Sequence, residues 1–119
     1  MTHAKGARAI AEKYLGLATL GDADAIAELY AENAELLPIP PNTAVVKGRD
    51  AIREYYQKHL SNLHPEYVSL DWTVDGRNCV VEIDSRVSGE AEHVYVVDIF
   101  TMTEDGKIAR MAAYRRESR

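Results

Sequence analysis

Asp98 lies in the middle of an apolar stretch, Val-Tyr-Val-Val-Asp-Ile-Phe-Thr-Met, at positions 94–102. Burying an ionised carboxylate is costly, because the group loses its hydration. Alternate side chains of a β-strand point to the same face, so Asp98 shares a face with Val96 and Phe100, the more apolar side of the segment. The pattern therefore predicts an inward-facing acid. Either a backbone N–H or an arginine satisfies it, or the strand lines a cavity in which an unusual carboxyl group is useful.

Three tyrosines also combine apolar surroundings with a polar end. Tyr14 lies within the apolar stripe of a predicted helix, and Tyr30 and Tyr56 lie on the inner sides of the next two predicted helices. Tyrosines on apolar helix faces usually pack in the core with the hydroxyl bound to a nearby group. We expect the three to converge on Asp98 as a hydrogen-bonded cluster.

Other reactive residues do not form a recognisable set. His59 and His64 are five positions apart, a poor fit to one helical face, and no cysteine or carboxylate completes a metal site beside them. Cys79 is predicted to be a small buried hydrophobic residue next to Val81, because no histidine or cation is placed to lower its pKa. We expect no metal and no cofactor.

The elements that must position these side chains are helices in the first half and strands in the second. Apolar residues at helical spacing predict one helix that ends at Gly21, a second over 20–32 and a third over 47–63. A short strand over 34–37 precedes the third helix, and four strands follow Pro65, separated by the turn sequences DGR, SGE and EDGK. This order predicts an α+β domain, with the helices packed on one face of a curved antiparallel sheet.

Composition limits the classes of function. The chain has 119 residues, 46% hydrophobic and 28% charged, which is typical of a single soluble globular domain over 1–119. A net charge of −5 with scattered basic residues argues against nucleic acid, and the group of Arg115, Arg116 and Arg119 is interpreted as a polar tail. The single cysteine and the lack of an apolar run of about 20 residues predict a cytoplasmic protein without a membrane span.

Three segments of the chain resemble a known family: EKYLGLATLGDADAIAELYAENAEL, KGRDAIREYYQKHL and VVDIFTMTEDGKIARMAAY. They resemble the ketosteroid isomerase group of the nuclear-transport-factor-2-like superfamily, which also contains polyketide cyclases of the SnoaL type. The resemblance implies a cone-shaped, cystatin-like α+β fold in which a curved antiparallel sheet wraps around three N-terminal helices. It also implies a hydrophobic pocket and a homodimer formed through the outer face of the sheet.

The resemblance assigns roles to four residues. Tyr14 matches the oxyanion-hole tyrosine of the family and Asp98 its oxyanion-hole aspartic acid, while Tyr30 and Tyr56 match tyrosines that extend the hydrogen-bond chain in some members. In ketosteroid isomerase this aspartic acid stays protonated at neutral pH and donates a hydrogen bond. By this likeness Asp98 is a neutral acid.

The chain departs from the family at the general base. The family has an aspartate just after the first short strand, whereas this chain reads Leu36-Leu37-Pro38, with Pro38 in the position of the base. Proline cannot accept a proton, so ordinary steroid isomerisation is not expected. We expect an isomerase, dehydratase or cyclase that acts on a small apolar carbonyl compound (a steroid, polyketide or terpenoid) through an enolate-like state.

Three alternatives stay open from the sequence. The protein is a binding module that kept the pocket and lost catalysis, a structural dimer with a filled core, or an epoxide hydrolase. The last needs Asp84, Arg86 and Asp98 on inner strand faces, but the first two alternate outward unless a bulge intervenes.

The resemblance also places one set of side chains in the pocket: Leu36, Pro38, Cys79, Val81, Ile83, Val96, Phe100, Met111 and Arg115. Arg115 is placed near the mouth, where it either pairs with a carboxylate on a ligand or extends to water. Tyr95, Val97 and Trp72 are interpreted as outward apolar surface, which favours a homodimer.

Overall fold

The computed structural model of the protein describes residues 6–39, 44–60, 63–86 and 93–116. Its elements in chain order are α1 (Ala7–Leu20), α2 (Ala23–Glu28), β1 (Tyr30–Leu37), β2 (Val46–Lys47), α3 (Arg49–His59), β3 (Glu66–Asp75), β4 (Asn78–Arg86), β5 (Val94–Met102) and β6 (Ile108–Arg116). In this part of the chain no helix has the length and apolar character that crossing a membrane requires. The turn predicted at 88–90 and Arg119 lie outside the described residues.

Local sequence sets the end of α1 and the start of α2. Tyr14 and Ala18, one helical turn apart, are buried on the apolar face of α1. Gly21 ends the helix in the left-handed conformation, with a φ of 72°, which glycine adopts at little cost. Asp22 then caps α2, because its carboxylate accepts a hydrogen bond of 3.1 Å from the backbone N–H of Ala25.

The strands form one six-stranded sheet in the order β2-β1-β6-β5-β4-β3. Strands β3 to β6 are antiparallel neighbours, and β1 joins their edge by pairing parallel to β6. The sheet is curved and does not close, and the N-terminal helices pack on its inner face. The predicted α+β fold class is confirmed.

Strand β5 shows the alternation that the sequence predicts. Val96, Asp98, Phe100 and Met102 are buried on the inner face, whereas the residues between them are only partly buried. Residues paired across antiparallel strands share a face. The pairing of Asp98 with Val81 on one side therefore continues the inner face into β4.

The prediction that Tyr30 belongs to the second helix was wrong. Helix α2 ends at Glu28, and Tyr30 begins β1, paired with Ile108 of β6. The backbone N–H of Ile108 donates a hydrogen bond of 2.8 Å to the carbonyl of Leu29. Pairing with a strand almost 80 positions later thus overrides the local helical pattern, and windowed periodicity does not detect it.

The outward orientation expected for Trp72 was also wrong. The pairing of β3 with β4 shifts between Ser69 and Asp71, and beyond this shift Trp72 lies opposite the buried Val81. An irregularity of one residue moves the following side chains to the other face of the sheet. The indole ring therefore packs against the core, with the Arg8 guanidinium carbon 4.6 Å from the ring centroid.

Candidate functional site

A cavity of about 320 Å³ lies between the helices and the inner face of the sheet. Its walls come from α1, α3 and strands β1, β3, β4, β5 and β6, with the segments that follow α3 and β1. The lining residues are Tyr14, Leu36, Pro38, Ile39, Tyr55, Tyr56, His59, Leu60, Leu63, Pro65, Tyr67, Ser85, Val94, Val96, Asp98, Met111, Ala113 and Arg115. A volume of this size suits a small organic molecule.

Asp98 presents a carboxyl group to this cavity without a charged partner. Its position in β5 between Val81 of β4 and Ala113 of β6 directs it inward, and only 5% of its surface is exposed. Among the described residues, none forms a hydrogen bond or ion pair with the carboxyl group. Burial raises the pKa of Asp98 from 3.8 to about 7. The group is therefore protonated in a large fraction of molecules near neutral pH.

The three predicted tyrosines form a chain of hydrogen bonds that ends at the cavity. The Tyr30 and Tyr56 hydroxyl oxygens lie 2.7 Å apart, and the Tyr56 hydroxyl donates to that of Tyr14 at 3.2 Å. A hydroxyl has one proton, so Tyr56, which donates to Tyr14, accepts from Tyr30. Tyr14 is left with its own proton to donate toward the cavity.

All three hydroxyls stay protonated at neutral pH. Burial is the main cause that raises the pKa of Tyr14, Tyr30 and Tyr56 above the ordinary value for tyrosine. Negative charge on Asp98 adds to the increase at Tyr14, so the two groups interact electrostatically. The cavity wall thus carries two groups that interact electrostatically, the hydroxyl of Tyr14 and the carboxyl group of Asp98, whose pKa is raised.

Tyr67 is a cavity residue that the sequence analysis missed. It lies in β3 opposite Ser85, a buried polar residue of β4, and both side chains line the cavity. Burial, with a smaller contribution from Asp98, raises the pKa of the Tyr67 hydroxyl. Alternation along β3 puts Tyr67 and Ser69 on the same face of the sheet, which was the available signal. Whether that face is the inner one depends on the pairing with β4, which the sequence does not specify.

Pro38, which the resemblance assigns to the position of the base, lines the cavity. It is buried, and it follows β1 on the same side as Leu36, which pairs with Met111 of β6. Continuing that register puts Pro38 beside Ala113, the direct partner of Asp98. Pro38 and Asp98 therefore share one row across the sheet, separated by a single strand.

The predicted pocket-lining residues divide into two groups. Leu36, Pro38, Val96, Met111 and Arg115 line the cavity. The remaining four are fully buried in the hydrophobic core and do not reach the cavity: Cys79, Val81, Ile83 and Phe100. They share the inner face of the sheet with the cavity residues, so alternation alone does not distinguish the two groups.

The side chains of the epoxide-hydrolase alternative are not brought together. Pairing between β4 and β5 is continuous, without a bulge, so Asp84 stays on the outer face opposite Tyr95. Its carboxylate lies 2.7 Å from Nδ1 of His93. Arg86 is exposed and, like Asp84, does not line the cavity. Asp98 alone of that set faces inward.

Among the described residues, no group of three histidine, cysteine or acidic side chains is arranged to hold a metal ion.

Residues 11–111 match the SnoaL-like domain family. The chain belongs to this family. The match runs from within α1 to the first part of β6 and includes Tyr14, Tyr56 and Asp98. The resemblance identified from the three sequence segments is therefore confirmed. No curated protein sequence matches this SnoaL-like chain significantly.

Solved structures share the fold over nearly the whole chain. The epoxide hydrolase/cyclase-like enzyme SalBIII, with a role in pyran ring formation in the polyether salinomycin, is 26% identical, with a TM-score of 0.78 over 92% of this chain and 90% of SalBIII. A proposed ketosteroid isomerase from Kribbella flavida is 18% identical, with a TM-score of 0.77 over 95% of this chain and 79% of that protein. A proposed polyketide cyclase from Sinorhizobium meliloti is 24% identical, with a TM-score of 0.73 over 87% of this chain and 92% of that protein.

Proposed function

We propose that this SnoaL-like protein binds a small apolar carbonyl compound and transforms it through an enolate-like state held by Tyr14 and Asp98. The observation that carries the proposal is the chain of tyrosine hydroxyls ending at the cavity together with the unpaired, buried Asp98. The reaction belongs to the isomerase, dehydratase or cyclase type. The relatives described as a ketosteroid isomerase, a polyketide cyclase and an epoxide hydrolase/cyclase-like enzyme support this range.

The chemistry follows from which groups can donate protons. An enolate oxygen carries more negative charge than the ketone oxygen from which it forms, so donors fixed in advance stabilise the later state more. Tyr14 donates while it accepts from Tyr56, and Asp98 donates in its protonated form. Each donor of this kind contributes about 2.7–4 kcal/mol to transition-state stabilisation.

The reaction also needs a group that removes a proton from the substrate. At the position of the family's general base this chain has Pro38, whose side chain has no proton acceptor. Asp98 is the one carboxyl group among the described lining residues. Its pKa of about 7 leaves an ionised fraction near neutral pH, which can accept the α-proton of the substrate, and the proton so accepted makes the same Asp98 the neutral donor to the enolate oxygen. Ordinary steroid isomerisation, which needs a base and a neutral acid at the same time, is not part of the proposal.

A non-catalytic binding module is the second candidate, and Pro38 is the observation that favours it. Two measurements distinguish the candidates. The first compares the affinities of 2-naphthol, an enol analogue, and 2-tetralone, a ketone of similar size. The second follows exchange of the α-protons of 2-tetralone in D₂O by NMR. An enzyme prefers 2-naphthol and accelerates exchange above the buffer rate, whereas a binding module takes up both compounds and accelerates nothing.

We further propose a homodimer formed through the outer face of the sheet. Tyr114 on this face is 50% exposed and pairs with Val97 of β5, and Val68 of β3 is 59% exposed. Large apolar side chains exposed on the solvent side of a sheet favour an interface there. Trp72, which packs inward, does not contribute to it.

A further inference from the structure

Arg115 occupies an inner position near the end of β6. It pairs with Val96 of β5, which is 9% exposed and lies on the inner face, and its side chain lines the cavity. Arg115 itself is exposed, so it lies at the open end, whereas Asp98 lies deeper. The neighbouring Arg116 is directed to the opposite face.

The Arg115 guanidinium group has no partner among the residues that the structure describes. No hydrogen bond or ion pair joins it to any of the described residues. The pKa of Asp98 is raised by burial, with no lowering by Arg115, so the two side chains do not form an ion pair. Among the described residues that line the cavity, Arg115 is the only one with a permanent charge. An unpaired guanidinium on an apolar wall is a ready site for an anionic group.

Strand geometry relates this site to the proposed donors. Asp98 pairs with Ala113, two residues before Arg115 on the same strand. One strand spacing and two residues along the strand put the Cα atoms of Asp98 and Arg115 about 8 Å apart. The surface between them is apolar, made by Val96 and Ala113. A molecule with a carbonyl at one point and an anion a few atoms away can reach both.

We propose that the ligand of this cavity is a keto acid, whose carboxylate binds Arg115 while its carbonyl oxygen accepts hydrogen bonds from Tyr14 and Asp98. The inference rests on the proposed function and modifies its substrate class, since the carbonyl compound then has an apolar body and one anionic end. A carboxylate fits the planar guanidinium group in a bidentate arrangement.

The test uses three probes that share a phenyl ketone and differ only at the other end. One is the anion 5-oxo-5-phenylpentanoate, and the other two are its neutral methyl ester and its neutral amide. Their affinities are measured calorimetrically for the wild-type protein and for Arg115→Gln. We expect the acid to bind the wild-type protein at least about fivefold more tightly than the ester or the amide, and this preference to disappear in Arg115→Gln. The affinities of the two neutral probes stay unchanged, because their contacts do not involve the charge.

Arg116→Gln is the matched control. Arg116 is the next residue of β6 and forms an ion pair with Glu82 on the outer face, so the variant removes the same charge without altering the cavity. It should keep the preference for the acid. Added salt should weaken binding of the acid and leave the ester unaffected, because the contact at the open end is screened.

Equal affinity of acid and ester for the wild-type protein would overturn the keto-acid proposal, as would an equal loss for all three probes in Arg115→Gln. These outcomes leave the proposed function intact if 2-naphthol still binds more tightly than 2-tetralone, since neither compound has a carboxylate. Loss of that second preference rejects the proposed function itself. Circular dichroism of both variants verifies that they fold.

Discussion

Tyr56 donates a hydrogen bond to Tyr14 across 3.2 Å, from α3 to α1, at the wall of the cavity. The bond joins two residues that are 42 positions apart in the sequence and lie on different helices, and it fixes the direction in which the Tyr14 hydroxyl can donate. Tyr30, on β1, supplies the proton that Tyr56 accepts, so three elements hold one hydroxyl in place. A donor held in this way does not need to reorganise when negative charge develops next to it.

Removing the middle hydroxyl of this chain is the sharpest test of it. Tyr56→Phe should weaken 2-naphthol binding by about 3- to 10-fold, because Tyr14 loses the bond that orients and polarises it. Tyr30→Phe, one step further away, should have a smaller effect. Isothermal titration calorimetry measures both. Tyr95→Phe, on the outer face of β5, is the control, and an equal effect there would contradict the proposed chain.

Asp98→Asn and Asp98→Leu separate the hydrogen bond of this residue from its volume. Asparagine still donates from an uncharged group, so Asp98→Asn should retain 2-naphthol binding within a few-fold below pH 7. Asp98→Leu removes the donor and should weaken binding by about 10-fold or more. Affinities of all three proteins at one pH measure the difference. Equal affinity in the leucine variant would remove Asp98 from the site.

The stability of the protein should also depend on pH through Asp98. Its pKa is raised from 3.8 to about 7 by burial. A raised pKa means that the folded state holds the proton more tightly than the unfolded state. The contribution of protonated Asp98 to the free energy of unfolding is therefore fully present below about pH 4 and is lost as the pH rises through about 7. The loss is on the order of 4 kcal/mol.

Urea unfolding at several pH values between 4 and 8 measures this loss. The wild-type protein should lose stability relative to Asp98→Asn over this range, since the amide does not ionise. Glu104→Gln, in the exposed turn after β5, is the control for removal of any carboxylate. Parallel pH profiles of wild type and Asp98→Asn would mean that Asp98 titrates normally. Unfolding of Asp98→Asn at neutral pH would instead indicate an ionised aspartate with a cationic partner.

Pro38→Asp should restore a proton acceptor. Pro38 lies in the row of Asp98, one strand beyond Ala113, so a carboxylate there lies about 10 Å across the sheet, with the cavity between the two groups. General-base catalysis typically contributes 10²- to 10⁴-fold. Exchange of the 2-tetralone α-protons should accelerate within that range over wild type. Pro38→Asn, of similar size but without a base, should not accelerate it.

The oligomeric state has its own test. We expect a dimeric mass by light scattering at micromolar concentration, and Tyr114→Glu, which puts a charge on the exposed outer face, should shift the mass toward the monomer. Asp105→Lys, in the turn after β5, leaves that face unaltered and serves as the control for a charge change. A monomeric wild-type protein would end the dimer proposal.

Much of the site was determined by the sequence alone, because it depends on local periodicity. The period of two in 94–102 placed Asp98 on the buried face, and helical spacing placed Tyr14 and Tyr56 on the inner faces of their helices. Each of these predictions requires only a few neighbouring residues.

Tertiary structure decided the features that depend on pairing between distant segments. Tyr30 joined a strand because Ile108, far along the chain, provided its partner. Trp72 turned inward because the pairing of β3 with β4 shifts by one residue before it. Packing of the helices separated Phe100, which lies in the core, from Val96, which lines the cavity, although both share one strand face. Contacts of this kind depend on the positions of whole elements in space, and no window of sequence contains that information.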